Sequence, residues 1–255
     1  MKIETNILLD IAREAGAAIM EIYAGDFQVE TKSDKSPLTR ADRDSHEIIV
    51  QRLHEHFPEI HVLSEEGRDI DFAERSQWKR FWLVDPLDGT KEFIKKNGEF
   101  TVNIALIEDG RVVFGVVYVP AQQTLYWGGV DQPAMMQVVQ EAPQEIRVRS
   151  VVPQQGLTVV MSRSHPSPEL EGFLTGLMVA DAVSVGSSLK FCVVAEGKAD
   201  LYPRLGPTME WDTAAGHAVV EAAGGEVCTL QGEVMRYNKP DLLNPFFVVK
   251  PSRKD

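Results

Sequence analysis

A short apolar segment that runs directly into two aspartates places the strongest constraint on how this chain can fold. Residues 81–84 have the composition of a buried strand, and the next six residues read Asp85-Pro86-Leu87-Asp88-Gly89-Thr90. Pro is expected to end the strand, and Gly allows backbone N–H groups to approach an anion closely. Two carboxylates at this spacing suit a hard cation such as Mg²⁺. Because Asp-Gly is also an ordinary turn signal, the segment alone leaves both interpretations open.

Further acidic residues occur at the ends of other predicted elements. Four positions share this property: Glu65 and Glu66 after a strand at 60–63, Asp42 at the start of a helix, and Asp212 at the start of an Ala-rich helix. The aspartates can also act as helix N-caps, and the glutamates can form a solvated turn. However, acids at strand ends of an α/β protein tend to meet in one crevice. Because such carboxylates repel each other, we expect Mg²⁺ among them, where two cations would clamp a phosphate and activate a water.

Composition limits the class of partner. The 255 residues include 38 acidic and 26 basic residues, which gives a net charge of −12. This charge argues against a nucleic-acid polymer as partner, although a small phosphorylated substrate is compatible with it if metal ions neutralise the site. The two cysteines, Cys192 and Cys228, exclude a disulfide framework and a Cys-rich zinc site.

No apolar run in the sequence is long enough to form a membrane-spanning helix. The apolar residues near the N-terminus follow helical spacing, but Asp10, Arg13 and Glu14 interrupt them, so we expect a helix of the folded protein here and not a signal peptide. We expect a cytoplasmic protein without an integral membrane segment, and peripheral attachment to the cytoplasmic face of the inner membrane stays open.

The order of predicted elements indicates an α+β region followed by an α/β region. Helices at 5–23 and 41–56 precede the strands at 60–63 and 81–84, and 100–127 has the pattern of a β-meander. After a domain boundary predicted near residue 150, strands alternate with helices. The predicted strands lie at 157–161, 183–185, 199–202 and 246–249, and the helices at 167–178, 187–196 and 212–223. We therefore predict domains at 1–150 and 151–255, the first with most of the metal ligands and the second with Asp212 and the substrate pocket.

Four ordered motifs make the chain similar to the inositol monophosphatase superfamily of Mg²⁺-dependent, lithium-sensitive phosphomonoesterases. The motifs are Lys35-Ser36-Pro37-Leu38-Thr39-Arg40-Ala41-Asp42, Ser64-Glu65-Glu66-Gly67, the segment from Trp82 to Thr90, and Glu210-Trp211-Asp212-Thr213-Ala214-Ala215-Gly216. The resemblance implies a layered αβαβα sandwich of the sugar phosphatase type, two or three Mg²⁺ ions, and a monomer or homodimer.

The resemblance also implies a role for each matching residue. Glu65 and Asp85 would hold one Mg²⁺ with the carbonyl group of Leu87, and Asp85 would bridge to a second Mg²⁺ held also by Asp88 and Asp212. Asp42 and Thr90 would orient and deprotonate the attacking water. Together with Glu65 they form the catalytic group that the resemblance implies. The implied substrate-binding residues are Glu65, Leu87, Asp88, Gly89, Thr90 and Asp212, with Glu66 outside the direct ligands.

A stretch in the C-terminal half resembles one branch of the superfamily, the bacterial 3′(2′),5′-bisphosphate nucleotidases. It includes Gly186-Ser187-Ser188-Leu189-Lys190 and Gly206-Pro207-Thr208-Met209-Glu210. This branch hydrolyses adenosine 3′,5′-bisphosphate, a by-product of sulfate assimilation, to AMP and phosphate. We expect Lys190 and Arg204 near the second phosphate of such a nucleotide, although either can also be a solvated surface residue, and residues 186–188 near its sugar or base.

Of three other functions, one would use the same residues and two conflict with residues that the sequence contains. An inositol or sugar phosphatase of the same superfamily would use the same chemistry with a different pocket. A haloacid-dehalogenase phosphatase uses Asp-x-Asp-Gly-Thr with the first Asp as nucleophile, whereas Asp85 and Asp88 are one residue too far apart and Pro86 occupies the position of that first Asp. A non-catalytic phosphonucleotide sensor would be expected to lack Asp42, Thr90 or a metal ligand, and all of them are present.

Overall fold

The computed structural model describes residues 3–31, 37–150, 153–162 and 168–252. Within them, the α-helices are α1 Thr5–Tyr23, α2 Arg40–His56, α3 Phe72–Arg75, α4 Thr90–Ile94, α5 Pro168–Leu174, α6 Leu189–Ala195 and α7 Glu210–Ala222. The strands are β1 Val29–Thr31, β2 Pro37–Thr39, β3 His61–Ser64, β4 Arg80–Asp88, β5 Thr101–Glu108, β6 Arg111–Val119, β7 Thr124–Gly129, β8 Gln132–Val138, β9 Gln144–Glu145, β10 Leu157–Ser162, β11 Val179–Val185, β12 Tyr202–Arg204, β13 Gly225–Thr229 and β14 Phe247–Pro251.

The main sheet has seven strands in the order β3-β4-β5-β6-β7-β8-β9. Its β3–β4 pair is parallel and the other pairs are antiparallel. Helices α1 and α2 pack together against one face, where Leu8, Ile49 and Trp82 belong to one buried cluster. Helix α7 covers the opposite face and packs on α6. The apolar residues on alternate sides of each strand therefore bury both faces of the sheet.

Smaller sheets lie on the far side of α6 and α7. Strands β12, β14 and β13 form an antiparallel sheet, and the parallel pair β10–β11 joins it through a bridge between Val159 and Leu201. Phe173 and Leu174 of α5 pack against Val159 and Leu201, on the outer side. The order helix, sheet, helix, sheet, helix confirms the predicted αβαβα sandwich.

The largest buried cluster combines residues from both halves of the sequence. It includes Leu63 and Phe81 of the main sheet together with Phe191, Val219 and Phe247. The boundary near residue 150 stays a prediction.

Several predicted elements differ in extent. The helix predicted at 167–178 ends at Leu174, and the strand predicted at 183–185 begins at Val179. The strand predicted at 199–202 begins only at Tyr202, although Leu201 makes the bridge to Val159. Strands β8, β9 and β13 were not predicted; their residues lack the alternating apolar pattern that identifies a strand.

Candidate active site

Three carboxylates from separate elements meet at the edge of the main sheet. Glu65 follows β3, Asp85 lies within β4 and Asp212 lies in the first turn of α7. Each offers a carboxylate oxygen, and these oxygens all lie within 4.8 Å of one another. The parallel pairing of β3 with β4 brings Glu65 to this point, where its N–H donates to the carbonyl oxygen of Val84 at 3.1 Å.

Asp85 lies in a bulged strand rather than in the loop that was predicted after Val84. Strand β4 continues to Asp88, with Asp85 opposite Asn103 and Asp88 opposite Thr101 on β5. The two residues between them, Pro86 and Leu87, form the irregularity. Because Pro has no N–H to donate, a bulge at this position costs the sheet no hydrogen bond from residue 86.

Burial and mutual repulsion make these carboxyl groups hard to ionise. The pKa of Asp85 is raised well above its ordinary value, first by burial and then by the charges of Glu65, Asp88 and Asp212. Burial, Asp88 and Glu65 raise the pKa of Asp212 in the same way. Oδ1 of Asp85 accepts from the N–H of Leu87 at 3.1 Å, whereas Oδ2 is buried and has no hydrogen-bond partner among the described residues. A buried carboxylate with one unpartnered oxygen and acidic neighbours is suited to bind a cation, because the positive charge favours its ionised form.

Asp88 is held by Ser188, which was expected from the sequence near the sugar or base of the substrate. Oγ of Ser188 lies 2.6 Å from Oδ2 of Asp88 and 2.6 Å from the carbonyl oxygen of Asp212, and it accepts from Nδ2 of Asn103 at 2.8 Å. Burial raises the pKa of Asp88, while Lys190 and the Ser188 hydrogen bond lower it. Ser188 thus joins Asp88 to the first turn of α7. The sequence does not predict this contact with Asp88, because 100 residues separate Asp88 from Ser188.

Asp42 and Thr90 form a second hydrogen-bonded unit beside the carboxylates. Oγ1 of Thr90 donates to Oδ1 of Asp42 at 3.1 Å and lies 3.5 Å from the carbonyl oxygen of Leu87. Oδ2 of Asp42 accepts from the N–H and the hydroxyl group of Thr39, at 2.8 Å and 2.6 Å. Thr39, and not Asp42, is therefore the N-cap of α2. Burial raises the pKa of Asp42 against these hydrogen bonds, and Glu66 contributes to the rise.

Gly89 brings the 88–90 segment against the turn that precedes α6. Its φ is +89°, a value that favours glycine, and a Cβ atom there would lie 3.0 Å from Cβ of Ser187. Ser187 itself has a φ of +43°. This close approach places Thr90 and Ser187 in the lining of one cavity.

The cavity beside the acidic residues has a volume of about 370 Å³. Its lining includes Glu65, Asp88, Gly89, Thr90 and Asp212, together with Ser187, Lys190, Arg204 and Thr208. Leu87 is buried behind it and is placed by its carbonyl contact with Thr90. The structure therefore brings the predicted site residues together. Lys35 and Ser36, from the first motif, lie outside the described residues.

The two basic residues of the cavity are buried, which excludes the surface alternative. Lys190 is 6% exposed and Arg204 is 7% exposed. Nζ of Lys190 donates to the carbonyl oxygen of Ser187 at 2.6 Å and lies 5.7 Å from the centre of the Tyr202 ring. Burial lowers the pKa of Lys190 to about 8, although Asp88 opposes this change. Arg204 donates from Nη2 to the carbonyl oxygen of Pro207 at 2.6 Å, while its Nε has no hydrogen-bond partner in the described part of the chain.

Comparison with known proteins agrees with this fold. The model of the inositol monophosphatase family matches residues 3–254, and the chain belongs to that family. It is 49% identical over 242 residues to "3′(2′),5′-bisphosphate nucleotidase CysQ" of Salmonella typhimurium, covering 94% of this chain and 96% of the relative. The protein of the same name in Haemophilus influenzae is 33% identical over 246 residues, or 96% of this chain and 91% of the relative.

Solved structures give the same result. The crystal structure of CysQ from Bacteroides thetaiotaomicron, described as a bacterial member of the inositol monophosphatase family, matches with a TM-score of 0.85 and 43% identity, covering 98% of both chains. The inositol monophosphatase of Thermotoga maritima matches with a TM-score of 0.80 at 24% identity, covering 96% of this chain and 91% of that one, and supports the fold alone. Among the described residues, no helix is long and apolar enough to cross a membrane.

Proposed function

We propose that this protein is a metal-dependent 3′(2′),5′-bisphosphate nucleotidase that hydrolyses adenosine 3′,5′-bisphosphate to AMP and phosphate in sulfate assimilation. The observation that carries the proposal is the burial of Lys190 and Arg204 in the cavity that adjoins the carboxylates. A substrate with one phosphate needs a single anion site, whereas this cavity offers a second cationic position. The names of the relatives support the same substrate. We place the reaction in the cytoplasm.

We propose that the carboxylates bind Mg²⁺ and that two or three ions are bound. Asp85 has a buried oxygen without a hydrogen-bond partner among the described residues, and one carboxylate oxygen from each of Glu65, Asp85 and Asp212 lies within 4.8 Å of the other two. Oxygen ligands of this kind suit a hard divalent cation. Glu65, Asp85 and the carbonyl group of Leu87 would hold one ion, and Asp85, Asp88 and Asp212 another. When bound, the cations supply positive charge to the phosphoryl oxygens and lower the pKa of water.

Asp42 and Thr90 would activate the attacking water. Oγ1 of Thr90 can accept a proton from the water while its own proton passes to Oδ1 of Asp42, 3.1 Å away. The raised pKa of Asp42 makes its carboxylate a better proton acceptor than an exposed Asp. Both Oδ2 hydrogen bonds from Thr39 keep Oδ1 facing Thr90. Water then attacks phosphorus directly, without a phosphoenzyme.

The remaining groups would position the substrate. Backbone N–H groups of Gly89 and Thr90 at the start of α4 are available to the scissile phosphate, since the first N–H groups of a helix have no partner within it. Lys190 and Arg204 would bind the other phosphate. Positioning and charge neutralisation account for most of the catalysis in phosphoryl transfer.

Lys190→Met tests the assignment of the second phosphate. The variant keeps the length of the side chain and removes its charge, so kcat/KM for adenosine 3′,5′-bisphosphate is expected to fall by about tenfold to a hundredfold, the loss of a charge-assisted hydrogen bond. For adenosine 3′-monophosphate, kcat/KM is expected to change less than threefold. The two substrates are compared by phosphate release.

Lys91→Met is the matched control, because Lys91 lines the same cavity but is exposed. It is expected to affect the two substrates equally. An equal loss on both substrates in Lys190→Met would contradict the assignment of Lys190 to the second phosphate.

A further inference from the structure

Glu92 is a buried carboxylate that the proposed mechanism does not use. It lies in α4, two residues after Thr90, and is 3% exposed. Its Oε2 has no hydrogen-bond partner among the residues that the structure describes. Nζ of Lys95 lies 4.0 Å from that oxygen, but the Lys95 side chain is 57% exposed, so the ion pair compensates little of the cost of burial. A buried oxygen in this state requires an explanation.

Glu92 lines the same cavity as Lys190, Arg204 and Asp212. Its side chain is confined, because a Cβ atom on Gly186 would lie only 2.6 Å from Cγ of Glu92. Gly186 is in turn fixed by its N–H, which donates to Oε2 of Glu99 at 2.8 Å. Only a glycine allows Glu92 this position, so the carboxylate is built into the wall of the cavity.

The chemistry of Glu92 restricts what it can contact. An ionised carboxylate is only an acceptor, and it repels phosphate. It therefore suits a neutral donor on the ligand. Because Thr90 is two residues away and contacts Asp42, the part of the ligand within reach is the part next to the reacting phosphate.

We propose that Glu92 accepts a hydrogen bond from the hydroxyl group adjacent to the scissile phosphoester. This inference rests on the proposed function, in which that group is the ribose 2′-hydroxyl of adenosine 3′,5′-bisphosphate. Glu92 thereby makes the site selective for phosphomonoesters that carry a neighbouring hydroxyl, independently of the second phosphate. An analogue without this hydroxyl leaves the buried oxygen without a partner, which is the condition under which sites reject substrates strongly.

The test compares adenosine 3′,5′-bisphosphate with its 2′-deoxy analogue in the wild-type protein and in Glu92→Met. We expect the wild-type protein to prefer the ribonucleotide by at least about tenfold in kcat/KM. In Glu92→Met this preference is expected to disappear, mainly because kcat/KM for the ribonucleotide falls. Glu92→Gln retains an acceptor and keeps an intermediate preference, and Lys95→Met keeps the wild-type preference. Thermal unfolding shows that each variant is folded.

Either of two results would overturn the proposal: equal losses on both nucleotides in Glu92→Met, or no preference in the wild-type protein. Absence of hydrolysis of both nucleotides by the wild-type protein would instead refute the nucleotidase function. The same comparison with inositol 1-phosphate and cyclohexyl phosphate, which lacks the neighbouring hydroxyl, then decides the role of Glu92.

Discussion

Two carboxylates of the candidate site also accept a hydrogen bond at the start of a helix. Asp42 and Asp212 both occupy the third position of a helix, where one oxygen accepts the N–H of the residue before the helix, Thr39 and Met209 respectively. Because a carboxylate has two oxygens, a helix-capping role and a role in the site do not exclude each other. The sequence leaves the two interpretations open for this reason, and only the positions of Thr90 and Asp85 show which other groups each aspartate meets.

Asp85→Asn is expected to stabilise the metal-free protein. Since the folded-state pKa of Asp85 is raised, its protonated form favours the fold below its unfolded pKa of about 4, and that contribution is lost as the pH rises through the folded pKa. Above it, the ionised group destabilises the fold, and Asn removes this charge. The Tm in EDTA is expected to rise by several degrees, at about 2–4 °C per kcal/mol.

Thermal unfolding at pH 7.5 with EDTA and with Mg²⁺ measures this effect. Mg²⁺ is expected to raise the Tm of the wild-type protein and to raise that of Asp85→Asn much less. Asp131→Asn, at an exposed position, should behave as the wild-type protein. A lower Tm for Asp85→Asn in EDTA, or an undiminished response to Mg²⁺, would contradict the assignment of Asp85 as a metal ligand.

At the level of elements, the bulge in β4 determines the geometry of the site. It lets Asp85 and Asp88 both remain in the sheet while Pro86 and Leu87 depart from the ladder. Helix α2 fixes the bulge from the side, because Oγ of Ser45 donates to the carbonyl oxygen of Pro86 at 2.7 Å. The sequence predicts a turn here, since Pro and Asp-Gly are turn signals, but pairing with β5 continues the strand past them.

Gly89→Ala is expected to lower kcat strongly and to lower the free energy of unfolding only modestly. An L-residue at a φ of +89° costs about 1–2 kcal/mol, and the new Cβ atom would lie 3.0 Å from Cβ of Ser187. The 88–90 segment must therefore shift relative to Ser187 and Ser188. A displacement of this kind in an active site can reduce turnover by about a hundredfold.

Gly110→Ala is the matched control. Gly110 has a φ of +73° in the turn between β5 and β6, so the substitution carries a similar backbone cost. Steady-state kinetics and Tm are measured for both variants. Equal kcat values for Gly89→Ala and Gly110→Ala would contradict the role assigned to the 88–90 segment.

Elements with a strong periodic pattern were predicted well, and elements held by distant contacts were not. The predicted bounds of α1 agree with the structure, because its apolar residues follow helical spacing and form one buried face. Strand β13 is held by its antiparallel neighbour β14. The contact of Ser188 with Asp88 and the burial of Glu92 beside Gly186 were not predicted for the same reason, because both depend on residues that are far away in sequence.

At the level of the whole molecule, the layered architecture explains why the site forms where it does. Glu65 and Asp85 come from the edge of the main sheet, and Asp212 from the helix packed on its face. Lys190 lies in α6, in the same layer as α7, and Arg204 lies in β12 of the next sheet, so these two layers supply the cationic side of the same cavity. A chain with a net charge of −12 thus keeps two buried basic residues where a phosphorylated substrate would bind.

Phosphate release from adenosine 3′,5′-bisphosphate and from inositol 1-phosphate, measured side by side with Mg²⁺ and with a chelator, tests the central claim most directly. The account predicts hydrolysis that requires Mg²⁺ and strongly favours the nucleotide, because only the nucleotide presents a second phosphate to Lys190 and Arg204. Preference for inositol 1-phosphate, or turnover of the nucleotide that persists in the presence of the chelator, would contradict it.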